Sequence, residues 1–364
     1  MANLNTLKIC IVLSSLSNGG TERFGASLSN ILTSLGYDIH IVITHDAVEY
    51  DFSGTLFNLE KEAKKSYSSI SKLAALSRYF KQQNFDIIID NRLRTQFLKE
   101  LIIYRSFYKD SKIIGMVHNY KVENYFPVNN YMSKIIYPET TTFIGVSKKI
   151  KENVKETYGF KNVDYMHNPI SINEITAKSN SNIKTLDYKY ILYFGRFEEV
   201  AKNLTLLIES YKLSSLRAQD IKLVLMGKGD DKAIIQHLVS QYSLEDDVIF
   251  MDYQPEPFPF VKDALFTVLT SNYEGFPMSI IESMACGTPV VSVNCPSGPS
   301  EVIQNNINGV LIENNTPEAV SKAFNSFLSD EDLYNKCKEN TISSVKHLDV
   351  SVIAKGWLKL LENE

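Results

Sequence analysis

At 364 residues the chain is longer than one α/β core needs and comfortable for two. Its 44% apolar and 22% charged content excludes a disordered or fibrous protein and is that of a globular one. The formal charge of −4 is unevenly spread: residues 1–170 hold 21 Lys+Arg against 16 Asp+Glu, net +5, and the remainder is net −9. A basic first half suits an anionic partner such as a membrane surface or a phosphorylated lipid, or is a modest excess without meaning. No nucleic-acid partner is expected. Cys10, Cys286, Cys295 and Cys337 have no metal-ligand spacing and read as buried thiols of a reducing compartment, so no metal and a cytoplasmic location are expected. The N-terminal run KICIVLSSL is too short for a membrane span or signal peptide.

Lys8–Leu13 reads as a buried first strand entering the glycine turn Ser17-Asn18-Gly19-Gly20-Thr21-Glu22. A helix over Arg23–Leu35 follows, with Phe24, Leu28, Ile31, Leu32 and Leu35 on one face, then strand His40–Ile43. In such a βαβ unit the first turn lets backbone approach a ligand closely. Glu22 reads first as an acid favourable to the helix dipole. Ser68–Phe85 is an amphipathic helix, Ile87–Asp90 a strand and Thr95–Phe107 a helix, with Lys99, Arg105, Lys109 and Lys112 making a basic, aromatic face. Strand Lys112–Val117 delivers His118 at its C-terminal end, where open α/β sheets bind ligands, and a purely structural histidine is the competing reading. Asn119–Ser133 reads as a polar loop of exposed aromatics, either covering a cleft or meeting an acceptor. Thr142–Ser147 is a strand, and helix Lys148–Tyr158 turns Lys148, Lys149, Lys151 and Lys155 to solvent or to lipid headgroups.

The Ser/Asn-rich run after Asn168-Pro169 marks a domain boundary. Strand Tyr188–Phe194 ends in Gly195-Arg196, and Lys202-Asn203 opens helix Leu204–Tyr211. A guanidinium and an ammonium above a helix N-terminus suit a diphosphate, and a chance pair of surface cations is the alternative. Strand Lys222–Gly229 ends in a G-x-G, followed by helix Lys232–Tyr242, strand Val248–Phe250 and helix Phe258–Leu265. Then come the buried strand Leu265–Ser271, the break at Gly275 and Pro277, helix Met278–Cys286 and strand Val290–Val293. Ser300 is a candidate N-cap. Strand Val310–Ile312 and helices Pro317–Leu328, Asp330–Thr341 and Val350–Leu361 complete the chain.

The stretch Glu274-Gly275-Phe276-Pro277-Met278-Ser279-Ile280-Ile281-Glu282, followed by M-A-C-G-T-P-V-V, resembles the E-x7-E signature of the retaining glycosyltransferases of family 4. That resemblance implies an α/β, GT-B architecture of two facing Rossmann-like domains with parallel sheets and an interdomain cleft. It implies residues 1–169 as the acceptor-side domain, 170–345 as the nucleotide-sugar-binding domain and 346–364 as a helix returning to the first. The donor site implied is Gly19, Gly20, Gly195, Arg196, Lys202, Gly227, Met251, Tyr253, Glu274, Gly275, Phe276, Pro277, Met278, Ser279 and Glu282. Of these, Arg196 and Lys202 meet the pyrophosphate, Glu282 the ribose, and Glu274 with the Gly275–Phe276 amides the sugar. His118 joins Glu274, Arg196 and Lys202 as a catalytic group. The implied reaction moves a hexose or N-acetylhexosamine from a nucleotide sugar, UDP-linked by expectation, to a glycan or lipid-linked glycan, without metal or other cofactor. Transfer to a soluble sugar and epimerisation of a sugar nucleotide are the enzymatic alternatives, and a binding module the non-enzymatic one.

Overall fold

The computed structural model describes residues 7–17, 19–63, 69–127 and 129–362. Asn18 of the glycine turn and the expected helix start at Ser68 lie outside them. The chain divides into two compact units, one made of Met1–Pro169 with Val350–Glu364 and the other of Ile170–Asp349.

The first unit is built on seven parallel strands: β1 (Lys8–Leu13), β2 (Asp38–Ile43), β3 (Thr55–Asn58), β4 (Ile87–Asp90), β5 (Lys112–Val117), β6 (Thr142–Gly145) and β7 (Val163–Tyr165). They lie in the order β3-β2-β1-β4-β5-β6-β7. Ile11 pairs with Ile41 on one side and Ile89 on the other, all fully buried, because helices cover both faces of such a sheet and each strand becomes an apolar run. The strand order reverses between β1 and β4, so the loops leaving their C-terminal ends diverge and open a crevice there. The glycine turn, Asp90 and Asn91 sit at that position.

Helix Gly20–Ser34 begins three residues before the sequence suggested, which draws Gly20, Thr21 and Glu22 into its first turn. Helix Val350–Glu362 completes this unit, with Trp357 fully buried and its ring 6.3 Å from that of Phe24. Lys112 leaves the expected basic face: its ammonium donates to the Leu360 carbonyl at 3.1 Å, where the end of a helix dipole favours a cation. The described residues of the stretch 119–133 are also not all surface. Tyr125 and Phe126 are buried, Phe126 against Phe143 at 5.0 Å, and helix Asn130–Ile136 begins inside it. Aromatic content there serves the core as much as the surface.

The second unit has six parallel strands: β8 (Tyr190–Arg196), β9 (Lys222–Lys228), β10 (Val248–Asp252), β11 (Thr267–Leu269), β12 (Val290–Val293) and β13 (Gly309–Ile312). Their order, β10-β9-β8-β11-β12-β13, reverses between β8 and β11. The core gathers Ile191, Tyr193, Leu207, Leu223, Phe266, Val291 and Phe324. The polar stretch after Pro169 is not an open linker: Ile172–Ser179 is a helix with Ile175 buried.

Candidate active site

Beyond the C-terminal ends of β8 and β11, Lys202 and Glu274 form an ion pair. The Lys202 ammonium lies 2.7 Å from Glu274 Oε1, with the two side chains 16% and 11% exposed. Ser271 donates its hydroxyl to that same oxygen at 2.6 Å, and among the described residues no donor reaches Oε2. The backbone around the pair is fixed locally. Asn272 N–H donates to the Ala201 carbonyl at 2.8 Å, Thr270 Oγ1 to the Lys202 carbonyl at 3.2 Å, and Glu274 N–H to the Pro296 carbonyl at 3.2 Å. Asn203 sits in the left-handed region at φ 50°, which asparagine tolerates better than most residues, and this turns the chain immediately after Lys202.

The anion site differs from the sequence expectation in one respect. Helix Leu204–Leu213, which Lys202-Asn203 opens, has its first amides taken: Glu199 accepts from Leu204 N–H at 2.9 Å and Thr205 N–H at 3.2 Å, and Asn203 from Leu206 N–H at 3.3 Å. A carboxylate already occupies the place a phosphate would need. Helix Met278–Ala285 starts otherwise, on Pro277 with no side-chain cap, so the Met278 and Ser279 amides form the open end. Its approach is pinned by Ser297, which is at φ 72° and donates to the Gly275 carbonyl at 2.6 Å. Phe276 is buried beneath it, and Gly298 at φ 104° leaves no room for a Cβ, which would lie 2.2 Å from Pro277. Glu282 is 6% exposed on this helix.

Arg196 is not in direct contact with the Lys202–Glu274 pair. Its guanidinium lies 3.2 Å from Glu198, and its side chain is 69% exposed. The Arg196 backbone is held from below, where the buried Tyr193 hydroxyl donates to its carbonyl at 2.6 Å. Burial first, then the nearby Glu274 charge, push the Tyr193 phenol well up, while Arg196 opposes the rise. Tyr193 escaped the sequence reading because a tyrosine within YILYFGR looks like any core residue. Gly195 and Gly227 face each other across β8 and β9, and a Cβ on Gly227 would lie 1.8 Å from the Gly195 carbonyl. Strand approach accounts for this glycine pair. Met251 lies on β10, and Tyr253, half exposed just beyond it, carries the Lys228 ammonium 4.8 Å from its ring centre.

In the first unit, Gly19 caps helix Gly20–Ser34 through backbone alone, and a Cβ there would lie 2.1 Å from Glu22 Oε2. His118 follows β5, with Nε2 2.8 Å from Asn91 Oδ1 and its ring edge-on to Phe24 at 4.8 Å. Burial, and then the Arg94 charge, lower its pKa to about 3. The neutral ring therefore donates from Nε2, leaving Nδ1 as an acceptor; Nδ1 and Asn91 Nδ2 are both buried without a partner. Beside them lies a network the sequence reading missed. Asp90, Arg92, Arg94 and Glu100 are all at most 5% exposed. Arg92 Nη2 bridges Asp90 at 2.7 Å and Glu100 at 2.9 Å, and Arg94 donates to the carbonyls of Asp90, Arg92 and Met116. Burial would raise the Asp90 pKa, but Arg92 and Arg94 outweigh it and hold the carboxyl below its ordinary range.

Among the described residues no group of three or more His, Cys, Asp or Glu is placed to hold a metal ion, and no helix is long and apolar enough to cross a membrane. Two family models match the chain: "Glycosyltransferase Family 4" over residues 18–174 and "Glycosyl transferases group 1" over 174–344. Among curated proteins, the N-acetylgalactosamine-N,N'-diacetylbacillosaminyl-diphospho-undecaprenol 4-alpha-N-acetylgalactosaminyltransferase of Campylobacter jejuni is 27% identical, over 97% of this chain and 99% of its own. Among solved structures, a TarM mutant of S. aureus in complex with Fondaparinux, alpha-GlcNAc-glycerol and UDP superposes with a TM-score of 0.78 at 15% identity. That match covers 98% of this chain and 100% of the other. Anabaena HepE in complex with UDP-glucose gives 0.73 at 15% identity, over 98% and 99%. The shared fold is GT-B.

Proposed function

Because the chain belongs to the family 4 glycosyltransferases, we propose that it moves a hexose or N-acetylhexosamine from a UDP-linked donor to a glycan or lipid-linked glycan, with retention at the anomeric carbon, in the building of a surface polysaccharide. The observation that carries the donor half is the Lys202–Glu274 pair beside the uncapped start of helix Met278–Ala285. As the bond from the anomeric carbon to the diphosphate breaks, negative charge grows on the phosphate oxygens. Lys202, the Met278 and Ser279 amides and Arg196 meet that charge, and they do so with little reorganisation where they are already held. Arg196 reaches it by exchanging Glu198 for phosphate, a small cost because an exposed ion pair is weak. Glu274 accepts a sugar hydroxyl at Oε2 while Oε1 stays bound to Lys202 and Ser271, and Glu282 takes the ribose hydroxyls.

These cations and amides supply the charge a divalent ion would otherwise bring, so the reaction runs without one. The acceptor attacks from the face the leaving group vacates, and the departing phosphate oxygen takes the acceptor's proton. His118 offers Nδ1 to a hydroxyl. The acceptor reading rests on similarity to the Campylobacter enzyme, whose name specifies a diphospho-undecaprenol acceptor. A carrier of that kind places the enzyme on the inner face of the cell membrane, facing the cytoplasm.

The test is to incubate the protein with UDP-hexoses or UDP-N-acetylhexosamines, a polyprenyl-diphosphate-linked sugar and excess chelator, and to read the new linkage by the anomeric proton coupling. The α product from an α-linked donor is expected. Inverted product, loss of transfer on chelation, or conversion of the donor to an epimer without acceptor would each overturn the corresponding part.

A further inference from the structure

Among the described residues a few buried side-chain polar atoms have no hydrogen-bond partner. Those of Tyr108, Tyr137 and Trp357 belong to rings packed against other aromatic side chains in the core. Asn91 Nδ2 and His118 Nδ1 differ, because they belong to two side chains that bond each other beyond the C-terminal ends of β4 and β5. A buried polar atom left unmet is costly, and in a native protein it calls for a ligand, a water or a part in catalysis.

The backbone is built to hold these two side chains together. Asn91 is 2% exposed and directly follows β4, and its N–H donates to the Val12 carbonyl on β1 at 2.9 Å. Arg94 donates from Nη1 to the carbonyls of Asp90 and Arg92, on either side of Asn91, at 2.9 and 2.8 Å. Its Nη2 donates to the Met116 carbonyl, two residues before His118, at 2.9 Å. One guanidinium thus clamps the segment carrying Asn91 to the segment carrying His118. Within that frame Asn91 Oδ1 is committed to the His118 Nε2–H at 2.8 Å, which leaves the amide a donor and the ring an acceptor. A hydroxyl can answer either group, since it both donates and accepts. A phosphate dianion or a carboxylate has no proton to give Nδ1. The pair therefore fits the polyol face of a sugar and not an anion.

We propose that Asn91 is a specificity-determining residue of the transfer: Oδ1 fixes the His118 tautomer, and Nδ2 binds a sugar hydroxyl beside the one His118 accepts. The inference deepens the transfer reading and rests on it for the substrate. The hydroxyl belongs to the sugar of the donor or to that of the acceptor, and the two arms of the experiment tell them apart.

The full chain is assayed with the UDP-sugar and polyprenyl-diphosphate-linked sugar that support transfer, and with singly deoxygenated analogues of each. Asn91→Leu, similar in bulk, should lower kcat/KM by about tenfold or more. One deoxygenated sugar should cost wild type a similar factor and cost Asn91→Leu nothing further, and that sugar is the one Asn91 reads. Asn91→Asp keeps an acceptor for Nε2–H but has no Nδ2 donor, so it should be equally indifferent to that analogue. It decides alone if Asn91→Leu does not fold. The ring-nitrogen spectrum of isotope-labelled histidine, assigned with His118→Gln, should show the Nε2–H form in wild type and its loss as the single form in Asn91→Leu. A wild-type ring protonated on Nδ1, or both variants transferring as wild type does, would overturn the proposal. So would losses from substitution and from every deoxygenation that simply multiply, which is the result for an amide that meets only water. If no nucleotide sugar is transferred, the function proposed above fails, whereas the ring spectrum needs no turnover and still judges Asn91.

Discussion

Each unit collects charged residues at the C-terminal ends of its strands, beside the point where strand order reverses, yet the two collections are built oppositely. In the first unit Asp90, Arg92, Arg94 and Glu100 are spent on one another and on strand-end carbonyls, at 5% exposure or less. In the second, Lys202 and Glu274 retain access to solvent, Arg196 is 69% exposed, and a helix begins without a cap. The same fold thus carries a closed electrostatic knot and an open electrostatic mouth. Charge density alone does not identify a binding site; what matters is whether the charges have already been answered.

Breaking the knot should cost stability first. Arg92→Met leaves two buried carboxylates without their shared cation, and a loss of about 3–5 kcal/mol is expected in the unfolding transition of the first unit. Urea denaturation followed through hydrogen exchange at β4 and β5 would measure it, and a loss near zero would mean the network contributes nothing net.

Opening the mouth further should cost activity first. Arg196→Ala is expected to lower turnover of the nucleotide sugar by about 10²–10³-fold while stability changes by no more than about 0.5 kcal/mol, since the residue is exposed. Lys202→Met should lose at least as much turnover and somewhat more stability, because Glu274 is only 11% exposed. Unchanged turnover in both variants would remove the diphosphate assignment.

The smallest effect sharpens the contrast through acid. His118 has its pKa lowered to about 3, so between that value and the ordinary histidine value of about 6.5 the unfolded chain binds a proton the folded one refuses. Its contribution to stability is complete above about 6.5 and is lost as pH falls toward 3. The melting temperature of wild type should drop between about pH 7 and pH 5, and the drop should be shallower in His118→Gln. Identical slopes would show that His118 titrates freely.

Much of this architecture was legible because parallel strands covered on both faces are continuous apolar runs, as in KICIVL, IIID and KLVLM. Thr55–Asn58 was not, since an edge strand left partly exposed has no such run. The loop and helix from Glu274 to Glu282 were legible because glycine and proline break the backbone where the helical spacing begins. What Glu199 does was hidden: a carboxylate five residues before a helix caps it only if the chain bends back, and Asn203 makes that bend. The buried knot was hidden for a related reason, because D-N-R-L-R reads as surface. The usable signal was its position, directly after the three strand isoleucines Ile87, Ile88 and Ile89, with Arg92 eight residues before Glu100.

The pairing of Lys112 with the end of helix Val350–Glu362 also bears on how the molecule is made. Synthesis runs from the amino end, so the ribosome emits the whole of residues 170–349 before the segment bearing Trp357, which fills a place beside Phe24. The half that is born first is finished last, and until Trp357 arrives the place beside Phe24 is unfilled.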